Sequence, residues 1–184
     1  MSRPSRKLLL GLASALVFGS SAAALPEPVT QQTPEWALQG KGEMRWFGFQ
    51  LYEARLWVPG AASPGVRPSP PEGHFALELQ YARDITSQRL VEASIDQMKR
   101  FGAIDEKRLS KWKAALEQVF PNVKTGDVIV GVLKPNQGAE FYHQNRLSGR
   151  IDDVDFARTF FAIWLDERTS EPELRKRLLG LPAK

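Results

Sequence analysis

The sequence predicts an α+β fold, a mainly antiparallel sheet with helices packed on one face. Three observations carry this expectation. Segments of strand character stand before and after a pair of segments with helical period, and helical period returns near the end of the chain. The regular alternation of strand and helix that marks a doubly wound sheet is missing, and no internal repeat is visible.

The first segment reads as a processing signal. Arg3, Arg6 and Lys7 make a basic start, Leu8 to Phe18 is an apolar run of eleven, and Ala22-Ala23-Ala24 forms an A-x-A cleavage site. A run of eleven is too short to span a bilayer. The expected organisation is a signal peptide over 1–24, a leader over 25–39 and one folded domain over 40–184, exported to the periplasm or secreted after cleavage near Ala24.

Leu25 to Pro34 holds three prolines and no hydrophobic period, which predicts a loose leader. Gln39 to Arg45 leads through Gly48 into Phe49 to Val58, rich in aromatic and branched residues, and predicts a hairpin with Tyr52, Ala54, Leu56 and Val58 on one face. Pro59 to Gly73 carries five prolines and three glycines and is read as a long exposed loop. Phe75, Leu77, Leu79 and Tyr81 alternate with Ala76, Glu78, Gln80 and Ala82 as in a half-buried strand.

The period then changes. Leu90, Val91, Ile95 and Met98 share a helical stripe with small Ser94, while Arg89, Glu92, Asp96, Lys99 and Arg100 lie mostly outside it, and Gly102 sits where a cap belongs. A second amphipathic helix carries Leu109, Trp112, Ala115, Leu116, Val119 and Phe120 and stops at Pro121. Turn residues precede Val128 to Leu133, an unbroken apolar strand covered on both faces, and a hairpin of Ala139 to His143 with Leu147 to Ile151 follows. Asp152 or Asp153 is positioned to cap a helix through Leu165 that is apolar almost all round and therefore buried. Ser170-Glu171-Pro172-Glu173 has capping-box spacing and opens a last helix ending at Gly180.

Composition narrows the chemistry. The 184 residues contain no cysteine and two histidines, His74 and His143. Loss of the first 24 residues leaves 22 basic against 21 acidic side chains, a balance of +1 instead of +4. A near-neutral chain without a basic cluster has no footprint for nucleic acid and no run of Lys and Arg for an anionic membrane. No disulfide framework, thiol nucleophile or Cys-ligated zinc is available, two isolated histidines do not make a metal site, and no cofactor is implied. G-x-S-x-G, P-loop, G-x-G-x-x-G and H-E-x-x-H signatures are all lacking. Asp152, Asp153 and Asp155 fit a helix cap better than a cation site, His143 reads as a structural residue, and Tyr81 as a packing one.

Arg45 stands apart, because it lies among Met44, Trp46, Phe47 and Phe49, where an unpaired cation is costly to bury. Two partners fit: a carboxylate of the chain such as Glu43 or Glu53, with Arg45 a structural edge charge, or a ligand carboxylate or phenolate gripped by two parallel hydrogen bonds.

The stretch Gly40-x-Gly42-x-x-Arg45 running into Phe49-Gln50-Leu51-Tyr52-Glu53-Ala54-Arg55-Leu56-Trp57-Val58 resembles the opening of chalcone isomerase-like domains, and most closely their exported bacterial branch. Phe75 to Tyr81, Phe120-Pro121-x-Val123-Lys124-x-Gly126-Asp127, Phe160 to Asp166 and Thr169 to Pro172 fit the same branch in the same order, so the resemblance covers Gly40 to Gly180. It implies an open-faced sandwich, a large antiparallel sheet with helices on one side and an apolar cleft between them. Plant members close chalcones to flavanones with a strand arginine stabilising the enolate, and Arg45 matches that position. Other members bind fatty acids. The plant enzymes' strand threonine is replaced here by Tyr52, and their tyrosine and asparagine at the first helix have no counterparts in Ser87 to Met98.

The resemblance thus implies a ligand binder without turnover, holding a small apolar or amphiphilic molecule such as a fatty or aromatic acid with Arg45 and Tyr52. An intramolecular lyase acting on an enone through Arg45, and an interaction protein without ligand, are the alternative expectations.

Overall fold

The computed structural model describes residues 25–31, 35–60 and 73–182. The predicted signal peptide and most of the predicted proline-rich loop lie outside them. Six strands form one sheet in the order of the chain: β1 (Trp36–Trp46), β2 (Phe49–Pro59), β3 (Phe75–Tyr81), β4 (Val128–Lys134), β5 (Gly138–His143) and β6 (Arg146–Ile151). Every neighbouring pair is antiparallel. The predicted α+β class and open-faced sandwich are both observed.

Between β3 and β4 the chain crosses through α2 (Ser87–Met98), a short 3₁₀ turn (Lys99–Phe101) and α3 (Glu106–Val119). After β6 come α4 (Val154–Leu165) and α5 (Pro172–Leu179). Their starts follow from local chemistry: Thr86, Asp105 and Asp153 each accept a backbone N–H three residues on, satisfying donors that the first turn leaves unpaired. Asp153 accepts from the Trp112 indole as well, at 3.1 Å, which ties the α4 cap to α3. The capping box expected at Ser170 does not form. The N-cap of α5 is Glu171 with no side-chain cap, and the Ser170 hydroxyl donates to Gln97 of α2 instead. At the other end Gly180 takes the left-handed conformation that closes the helix.

These four helices cover one sheet face. Ala54, Leu56, Val58, Leu77, Leu79 and Phe141 meet Val91, Trp112, Leu116, Phe160, Phe161 and Leu178 in one buried cluster. Within it α4 is the apolar helix that the sequence predicts, with Phe156, Phe160, Phe161 and Trp164 buried and Phe156 stacked on Phe160 at 5.5 Å. Absent side chains set how closely the layers approach. A Cβ on Gly40 would stand 2.1 Å from the Arg177 carbonyl oxygen of α5, and one on Gly149 would stand 2.5 Å from Val119 of α3.

The leader departs from expectation. It carries α1 (Glu27–Thr30), and Leu25 and Val29 are buried on the opposite sheet face against Ala76, Val130, Val132 and Tyr142. The Trp36 indole donates to the Val29 carbonyl at 3.2 Å. The even positions of β3, β4 and β5 leave an apolar surface on that face, and burying it outweighs the disorder that three prolines suggest. Charged residues there are paired: buried Glu78 accepts from Arg55 at 2.6 Å and from the Trp57 indole at 2.8 Å.

Candidate functional site: a cavity between sheet and helices

The layers do not close everywhere. A cavity of about 1210 Å³ lies between the sheet and the helices. Its floor is apolar, built by Leu77 and Leu79 of β3, Ile129 of β4, Phe141 of β5 and Phe160 and Phe161 of α4. Its existence traces to α2, whose Val91, Ile95 and Met98 are buried in the packed cluster. The residues α2 turns to the cavity are Arg89, Leu90, Ala93, Ser94 and Gln97, of which Ala93 and Ser94 are too small to fill the space in front of them. The small Ser94 in an otherwise apolar stripe was the sequence signal of that gap.

Two tyrosines enter the cavity wall. Tyr52 of β2 and Tyr81 of β3 are strand partners with rings 5.9 Å apart. The Trp164 indole donates to the Tyr52 hydroxyl oxygen at 3.0 Å. Burial pushes both phenols far above the ordinary tyrosine range, with the neighbouring Glu171 adding to the effect on Tyr52. Both therefore stay neutral, suited to donate hydrogen bonds and unsuited to act as phenolate bases.

The rim is more polar. Arg83 and Asp84 follow β3, Arg89 lies in the first turn of α2, and Thr125 and Glu171 complete this wall. Asp84 is engaged, accepting from the Thr125 backbone at 2.8 Å and its hydroxyl at 3.2 Å. Arg83 lies over the Phe49 ring at 4.4 Å. Neither Arg83 nor Arg89 makes an ion pair among the described residues. Two cations without a carboxylate partner at the edge of an apolar cavity can receive an acid group. Sequence reasoning assigned Arg89 to the solvent side of its helix and passed over Arg83. The only available signal was its place just after the core-facing strand.

Of the two sequence-predicted site residues, the fold brings Tyr52 to the cavity and not Arg45. The Arg45 guanidinium holds Glu43 through two donors at 3.0 and 2.7 Å and reaches the Gly48 carbonyl at 3.3 Å. Its side chain is 56% exposed and does not line the cavity. Met44, the residue before it, does line the cavity, and successive strand residues point to opposite faces. The structural alternative for Arg45 is the one the geometry realises. His143 likewise pairs with Asp127 at 3.2 Å, and Asp155 with Arg108 at 3.1 Å. Among the described residues no group of three His, Asp or Glu is placed to hold a metal ion.

An antiparallel sheet, a helical layer on one face and an apolar cavity between them define an open-faced sandwich with an internal cavity. The chain belongs to the chalcone isomerase-like family, whose sequence profile matches residues 20–180. Among solved structures it is similar to a fatty-acid binding protein of Arabidopsis thaliana, at 13% identity and a TM-score of 0.57, over 78% of this chain and 86% of that one. Comparison with curated protein sequences gives no significant match.

Proposed function

We propose that this protein binds a small apolar or amphiphilic molecule, a fatty acid or an aromatic acid, in the cavity between sheet and helices, and does so without turning it over. The observation that carries this reading is the open cavity of about 1210 Å³ with an apolar floor and, on its rim, two arginines that make no ion pair among the described residues. Burying an alkyl or aryl body on that floor is worth roughly 25 cal/mol per Å² of apolar area. Arg83 or Arg89 supplies a charge-assisted contact for the acid group. The structural neighbour, a fatty-acid binding protein, supports the same class of ligand. Binding is favoured over turnover because the Asp84 carboxylate on the rim is committed to Thr125. The role we propose is a periplasmic one, a reading that the signal-like start supports.

Mass spectrometry of molecules extracted from the natively purified protein tests the reading. A recurrent acidic amphiphile is the expected result. No co-purified amphiphile, together with no uptake of a fluorescent fatty acid, would overturn it. Turnover of a chalcone by the purified protein would move the assignment to the lyase alternative.

A further inference from the structure

The β1–β2 hairpin ends in a two-residue loop, Phe47-Gly48, because Trp46 and Phe49 are strand partners. Both loop residues have positive φ, +46° for Phe47 and +80° for Gly48. Positive φ at both central positions is the requirement of a type I′ turn, which favours Asn-Gly and disfavours a bulky side chain at the first position. The β5–β6 hairpin shows the ordinary solution, with Gln144-Asn145 at φ +48° and +65°. Phe47 is therefore a poor choice for the turn, and it gives nothing to the core, since it is 82% exposed. Its neighbours Trp46 and Phe49 are 62% and 59% exposed.

The same tip is the lip of the cavity. Trp46 and Phe49 line its mouth, and Arg83 lies over Phe49 with Arg89 on the same rim. We propose that this aromatic tip docks on the surface of an anionic lipid bilayer and holds the cavity mouth against it, so that an apolar molecule passes between bilayer and cavity without crossing water. Aromatic side chains favour the headgroup boundary, and cations beside them are attracted to anionic lipid. The charge at the rim is assembled by the fold from the end of β3 and the start of α2. The role given to the cavity rests on the binding function proposed above, whereas the docking surface stands on its own residues.

The decisive variant is Phe47→Asn, which suits the turn and removes the aromatic ring. Cosedimentation with vesicles of phosphatidylcholine mixed with phosphatidylglycerol should show binding by the wild-type protein, weakened by added salt. Phe47→Asn should bind about tenfold less, the scale expected for withdrawing one phenyl ring from the interface. It should melt no lower than the wild type and take up a fluorescent fatty acid equally well in vesicle-free solution. Wild-type protein that stays off the mixed vesicles, or Phe47→Asn that binds them as strongly, would overturn the proposal. So would a wild-type dimer, seen by sedimentation velocity, that Phe47→Asn dissociates, since the tip would then belong to a second copy. Failure of both proteins to take up fatty acid would count against the cavity reading and leave the vesicle result standing.

Discussion

Arg45 follows Met44, the strand partner of Tyr52, and that single step of the pleat sends its guanidinium away from the cavity. Its pairing with Glu43 is exposed, and such pairs contribute less than about 1 kcal/mol. Arg45→Ala should therefore change stability by less than that and leave affinity for a fatty acid within about twofold. Arg89→Ala should weaken the same ligand by about 1–2 kcal/mol. Titration calorimetry and thermal melting of both variants check this, and the opposite ranking would return the acid site to Arg45. Asp166, just past α4, is held at a pKa of about 2, below the ordinary 3.8, chiefly by hydrogen bonds from Arg168 at 2.8 and 2.9 Å. A depressed folded-state pKa stabilises above the unfolded value and is lost as pH falls through the folded one. The stability gap between wild type and Asp166→Asn should therefore be full at neutral pH and shrink from about pH 4 to about pH 2. Denaturant midpoints across that range measure it, and a constant gap would refute the assignment.

Helices α4 and α5 hold their positions by different means. α4 is anchored by bulk: Phe160 touches Phe120, Phe141, Phe156, Phe161 and Trp164 within ring-to-ring distances of 5.3 to 6.0 Å. Phe160→Ala should cost about 3–5 kcal/mol through the cavity it leaves, read as a fall in denaturant midpoint. The new space adjoins the ligand cavity, so a bulkier ligand should bind the variant more readily than the wild type. α5 is anchored by the absence of bulk, its backbone lying directly on Gly40 of β1. The obstructing atoms are backbone carbonyls, which cannot rotate aside as a side chain does. Gly40→Ala should accordingly destabilise by at least the 1–3 kcal/mol typical of overpacking, and proteolysis should release the end of the chain first. A Gly40→Ala protein as stable as wild type would mean that α5 does not sit on β1 in this way. The conspicuous Gly40-x-Gly42 spacing thus belongs to helix packing, since a Cβ on Gly42 would also meet Leu174 of α5.

At the scale of the whole molecule, the signal-like start bears on where we propose the chain ends up. The expected product in the cell is a periplasmic protein beginning near Leu25, and N-terminal sequencing of the recovered protein checks it. Intact Met1 in the cytosol would be the contrary result. The cut at Ala24 would spare Leu25 and Val29, which the outer sheet face needs.

The sequence by itself determined the order of the six strands and of the four helices that cover the sheet, most face assignments and the Asp153 cap, because these depend on period and on residues a few places apart. The α3 stripe and the Asp153 cap are local signals, whereas the alternation of Phe75 to Tyr81 suggested a half-buried strand and β3 is buried on both faces, with Ala76 and Glu78 covered as well. The strand face that Tyr52 shares with Ala54 and Leu56 was legible for the same reason, whereas its place at the site came from the resemblance to the family. Only the tertiary structure decided the rest. Whether Leu25 and Val29 pack depends on what the far face of the sheet leaves uncovered. Arg83, just after β3, and Arg89, in the first turn of α2, come to line one cavity only in the folded chain. Arg45 leaves the site because its carboxylate partner, two residues away, lies on the same turned-out side. Periodicity records which way a side chain points from its own strand or helix. A cavity is the space left where several elements fail to meet, and that is a property of their packing together.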